Sequence, residues 1–93
     1  MWYIDNSKIQ GQGVFIKETI PANHFIDVVI ENAIMITFFG SKINHSWNPN
    51  CKLYQYKDYH WLVSQKPILA GEELTINYYY TPAFIKKPND NWR

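Results

Sequence analysis

The sequence predicts a mostly β fold built of several short antiparallel sheets. Apolar and aromatic side chains alternate with polar ones over short runs, turn-forming residues punctuate those runs, and no run of ten or more residues carries a convincing 3.6-residue period. In chain order the runs are "WYI" (Trp2 to Ile4), "GVFIKET" (Gly13 to Thr19), "FIDVVIE" (Phe25 to Glu31), "CKLYQY" (Cys51 to Tyr56), "YHWLVSQ" (Tyr59 to Gln65) and "ELTINYY" (Glu73 to Tyr79). Most are rich in β-branched or aromatic residues. Lys57 and Asp58 leave room only for a hairpin turn between the fourth and fifth runs, and Pro21 and Gly71 mark further turns. "AIMITFF" (Ala33 to Phe39) reads equally as a helical turn or a buried strand.

Composition narrows the class. A chain of 93 residues is expected to form a single compact domain over 1–93, with 81–93 as an aromatic tail. A net charge of +1 argues against a large phosphate-binding face, so no direct nucleic-acid binding is expected. Seven Tyr and four Trp exceed what a minimal core needs and suggest a lined groove, with surplus aromatic surface that a homodimer would shelter. One cysteine permits no internal disulfide, which points to a reducing, intracellular compartment, cytoplasmic or nuclear. The first residues lack the charged start and apolar run of a signal peptide, and no stretch approaches the ~20 apolar residues of a membrane span.

Three stretches carry chemistry. "SKIQGQGVF" sets Gly11 and Gly13 just before a strand; without a third glycine or a following helix it is no dinucleotide fingerprint, and it reads either as a glycine turn opening a hairpin or as a loop whose backbone N–H groups can approach an anionic ligand. "GSKINHSWNPNC" crowds turn-forming residues around Asn44, His45 and Cys51 more densely than a loop requires. His24, His45, Cys51 and His60 do not fall at metal-ligand spacing, so no metal is expected, and Cys51 with His45 lacks a third orienting residue for nucleophilic work. "PILAGEELTINYYY" ends in three tyrosines; Glu72 and Glu73 point to opposite faces of a strand, while Tyr78 and Tyr80 share a face for as long as strand geometry lasts.

Taken in order, the glycine pair, "NHSWNPNC" and "GEELTINY" resemble the SET-domain family of protein-lysine methyltransferases, over about Ser7 to Tyr80. The resemblance implies a pseudoknot, with the "NHS" strand threading beneath a later loop, and S-adenosylmethionine as cofactor. It implies that the backbone of Gly11, Gln12 and Gly13 holds the methionine part, that Asn44 and His45 contact the cofactor, and that Tyr78 is the catalytic tyrosine. Tyr80 would line the substrate-lysine channel with Ile76, a position linked to the number of methyl groups added, and Leu53 and Tyr54 would supply the bulk Ile76 lacks. The implied partner is a lysine-containing protein or peptide. About a dozen residues separate "FIDVVIE" from "NHS", where the family carries a longer insert; no cysteine-rich zinc tail follows, leaving Phe84 and Trp92 either to fold over the cofactor pocket or merely to cap the core; and Asn77 replaces the usual Asp. The short insert leaves a second reading, a binding module of the same fold with weak or no turnover.

Overall fold

The structure is a computed structural model that describes residues 1–89. In chain order the elements are β1 (Trp2–Asn6), β2 (Gln12–Ile16), β3 (Phe25–Glu31), β4 (Met35–Ile36), α1 (Phe38–Ser41), β5 (Asn44–His45), β6 (Cys51–Tyr56), β7 (Tyr59–Ser64), β8 (Thr75–Ile76) and a 3-10 turn at Tyr78–Tyr80. β1 and β2 form an antiparallel ribbon, β4-β3-β7-β6 an antiparallel sheet, and β5-β8 a two-stranded parallel pair. The fold is mostly β in several short sheets, as expected, with the parallel pair as the one departure.

The local signals act where they are strongest. β3 and β6 occupy their expected runs, and β6 and β7 form a hairpin closed by Lys57 and Asp58, with Tyr56 opposite Tyr59. The ambiguous Ala33–Phe39 run divides. Met35–Ile36 pairs with β3, and Thr37 then caps a one-turn helix, accepting from the Gly40 N–H at 2.9 Å and donating to the Val28 carbonyl at 2.7 Å. The helix can lie on β3 only because residue 40 is glycine: a Cβ there would stand 2.4 Å from the Val29 carbonyl oxygen.

The ribbon is tied to the central sheet by Trp2, whose indole donates to Asp27 at 3.0 Å and whose ring lies 4.8 Å from Phe39. Between the sheets, Val14, Ile16, Ile30, Ile43, Leu62 and Leu74 are buried to 1% exposure or less. No helix among the described residues is long and apolar enough to cross a membrane.

The last predicted strand is shorter than the sequence suggests. It ends at Ile76, where the Asn77 side chain accepts the Tyr79 N–H at 2.9 Å and starts the 3-10 turn. Alternation therefore does not reach the tyrosines. Tyr78 turns inward, while Tyr79 and Tyr80 are 61% and 80% exposed.

Candidate active site

The segments singled out in the sequence meet where β5 runs beside β8, Asn44 opposite Thr75 and His45 opposite Ile76. Parallel strands need a long crossover; here the β6–β7 hairpin is part of it. Asn50 clamps the crossing, its carboxamide donating to the Glu73 carbonyl at 2.8 Å and accepting from the Thr75 N–H at 2.9 Å. The Ser46 N–H adds a bond to the Ile76 carbonyl, 2.9 Å.

The glycine loop is held against this crossing by polar side chains. Gly11, at φ +49, turns the ribbon. The Asn44 carboxamide nitrogen lies 3.0 Å from the Gln12 carbonyl, 3.2 Å from that of Gln10 and 2.8 Å from the Glu73 carboxylate. The Ser7 hydroxyl donates to the same carboxylate, with oxygens at 2.7 and 2.9 Å. At Gly13 the missing Cβ makes room for Glu73, since an added methyl would stand 2.2 Å from its carboxylate oxygen.

Behind Asn44 the His45 ring is buried, and its Nδ1 accepts the Tyr78 N–H at 3.0 Å. Nδ1 is therefore unprotonated, and burial holds the imidazole below its ordinary value of 6.5, in the neutral form. The His45 ring centroid is 5.4 Å from that of Tyr78 and 4.7 Å from that of Trp47. The Tyr78 hydroxyl donates to the Ile43 carbonyl, so both its N–H and its O–H are engaged with the 43–45 segment. Burial raises the phenol above its ordinary value of 10, which keeps it protonated.

Cavities flank the tyrosine turn. An apolar one of about 300 Å³ is bordered by Val29, Ile36, Ile76, Tyr78 and Ile85. A second, of about 330 Å³, is bordered by Trp47, Cys51, Leu53, Ile76, Tyr80 and Thr81. A third, of about 550 Å³, takes in Gln55, His60 and Phe84 together with Leu53 and Tyr80. Thr81 borders all of them, and the Lys87 ammonium pins it, donating to the Thr81 carbonyl and lying 3.2 Å from both its hydroxyl and the Pro82 carbonyl.

The structure thus gathers Gly11, Gln12, Gly13, Asn44, His45 and Tyr78 into one cluster, and puts Leu53, Ile76 and Tyr80 on one cavity wall. Tyr54 is not with them. Neighbours on a strand face opposite ways, and its ring packs against Phe25 at 5.5 Å on the outer face of the sheet. Trp92 lies outside the described residues. Sequence reasoning missed Ser7, Glu73 and Asn50, whose roles depend on partners far along the chain, and Lys87, which reaches back to nearby Thr81 and Pro82 but carries no motif of its own; only the turn-rich "NPN" around Asn50 gave any sign. Cys51 is 1% exposed and burial pushes its thiol up to about 12, so it is no nucleophile. Among the described residues no group of three or more His, Cys, Asp or Glu could hold a metal.

Comparison with known proteins gives the family. A sequence profile of the SET domain matches residues 32–79, and the chain belongs to the SET-domain family. Among solved structures, a Plasmodium falciparum protein that bears the name of a histone methyltransferase superposes with a TM-score of 0.75 at 20% identity, covering 86% of this chain and 94% of that one. At that identity the likeness is one of fold. No curated protein matches the chain in sequence.

Proposed function

We propose that the chain transfers a methyl group from S-adenosylmethionine to the side-chain amine of a lysine in a protein or peptide. The observation that carries this reading is Tyr78: a neutral, largely buried phenol, anchored through its N–H and O–H to the 43–45 segment and bordering an apolar cavity. The chemistry around the glycine loop suits the cofactor. The Gln10 and Gln12 carbonyls and the Glu73 carboxylate are acceptors for an ammonium group, and Trp47 beside His45 offers an aromatic surface to a purine.

S-adenosylmethionine, when bound, supplies a methyl group already made electrophilic by its sulfonium. What remains for the protein is alignment, worth roughly 7–11 kcal/mol at best. An ammonium cannot attack, and an apolar wall such as Val29, Ile36, Ile76 and Ile85 disfavours the charged form, so it shifts an entering lysine toward the free amine. The Tyr78 hydroxyl donates its hydrogen bond to the Ile43 carbonyl, which leaves the phenol oxygen as an acceptor that can orient that amine. It is not the general base, because burial keeps it protonated.

The exposure of Ile34 (68%) and Phe38 (66%) in the short 32–43 stretch favours a second reading, a module that binds without turnover. Labelled cofactor offered with a panel of lysine-rich proteins separates the two. Transfer by the wild type that drops by roughly a hundredfold or more in Tyr78→Phe supports catalysis. Cofactor binding without transfer to any substrate supports the module, and calorimetry showing no cofactor binding sinks both.

A further inference from the structure

The central sheet ends on an open strand. Its order is β4-β3-β7-β6, so among the described residues β6 pairs with β7 on one side and with no strand on the other. The Lys57–Asp58 loop makes Tyr56 and Tyr59 the hydrogen-bonded closing pair; alternation then aims the backbone groups of Tyr54 and Lys52 at β7 and those of Leu53 and Gln55 outward. The bond from the Gln65 N–H to the Asn50 carbonyl, 3.0 Å, falls where this alternation requires. The strand "CKLYQY" holds one lysine and no carboxylate, and Tyr54 and Tyr56 are 49% and 57% exposed. An uncovered edge of this kind is a template for pairing.

We propose that the β6 edge pairs with the same edge of a second copy, antiparallel about a two-fold axis centred on Tyr54. The strand begins against β8, where the Asn50 N–H reaches the Thr75 hydroxyl at 3.3 Å, which leaves the Leu53–Gln55 half as the pairing edge. The axis sets Leu53 opposite the partner's Gln55, and these are the residues whose N–H and C=O point outward, so each exchanges both bonds with its counterpart. The same register sets Lys52 opposite the partner's Tyr56, ammonium against ring; within the chain Lys57 already lies over Tyr56 at 5.4 Å. The two Lys52 residues stay about 13 Å apart along the strands, beyond the Debye length of about 8 Å at physiological salt. On the outer face the Phe25–Tyr54–Trp61 cluster, with Phe25 5.5 and 5.8 Å from the other rings, continues into the partner's Tyr54. The near-neutral net charge of +1 adds little long-range repulsion between copies.

Sedimentation equilibrium of the full chain from about 1 µM to about 500 µM, a range that spans weak complexes, is expected to show the mass rising from monomer to dimer. Gln55→Pro removes an N–H that the β7 ladder does not use, so the hairpin survives while self-association weakens at least about tenfold. Amide exchange on the wild type gives a readout free of mutation: Leu53 and Gln55 become protected only at high concentration, whereas Tyr54 and Tyr56 are protected throughout. A wild type that stays monomeric at the highest concentration, as it would if the edge served an extended segment of another protein, overturns the proposal. So does an unchanged association constant in a folded Gln55→Pro variant, or concentration-dependent protection on any strand other than β6.

Discussion

Gly13 and Glu73 form a pair whose coupling can be worked from the coordinates. A methyl added at residue 13 would stand 2.2 Å from a Glu73 carboxylate oxygen and 2.7 Å from its carboxyl carbon. The carboxylate ends a flexible side chain, so moving it is sterically cheap; what is lost is its hydrogen bonding. Ser7 supplies one proton, although its hydroxyl lies 2.7 and 2.9 Å from the two oxygens, and Asn44 supplies another at 2.8 Å. Bonds to a charged acceptor are worth roughly 1.5–3 kcal/mol each, and half-burial puts these at the low end, so Gly13→Ala costs about 3 kcal/mol. With Glu73→Ala already made, only the Asn44 carboxamide nitrogen, 3.2 Å from the added methyl, has to give way, and Gly13→Ala costs under about 1 kcal/mol. A double-mutant cycle followed by urea denaturation and tryptophan fluorescence should therefore give a coupling of about 2 kcal/mol. Additivity within about 0.5 kcal/mol would refute the account of why residue 13 is glycine.

Acid and turn chemistry provide further tests. Burial holds His45 below its ordinary value of 6.5, so below that pH the unfolded chain binds a proton that the folded chain does not. The His45 contribution to stability is thus fully present above pH 6.5 and declines as the pH falls toward the depressed folded value; urea midpoints from pH 8 to 5 should drop less in His45→Asn than in wild type, and parallel profiles would contradict the assignment. Lys57 holds φ +54 in the hairpin loop, a conformation that costs a side-chain-bearing residue about 1–2 kcal/mol and glycine little. Lys57→Gly should raise stability by about 0.5–1 kcal/mol in the same denaturation assay once the greater entropy of the unfolded glycine is subtracted, and a destabilised variant would count against a strained turn.

Legibility followed range. The β6–β7 hairpin was readable because two alternating runs and the residues between them are all local, and β3 for the same reason. The polar crowd at Gly40–Cys51 was readable as a place of chemistry, since side chains of that kind gather only where backbone leaves regular structure. The three tyrosines misled, because alternation cannot anticipate that the Asn77 side chain will accept the Tyr79 N–H and bend the strand into a 3-10 turn. Grouping Tyr54 with Leu53 failed for the opposite reason: a residue's type does not say which face of the sheet looks toward the cavities, and only Leu53 is on that side.

By itself the sequence determined the alternation of the longer strands, the turn between β6 and β7 and the chemical character of the segments that meet at the site, because these depend on neighbouring residues and their backbone preferences. Tertiary structure alone decided that β5 runs parallel to β8, that Ser7 and Asn44 close on the Glu73 carboxylate, and that the Tyr78 hydroxyl ends on the Ile43 carbonyl. Each joins residues separated by about 30 positions or more, and such contacts form only when core packing repays the entropy of closing the loops between them.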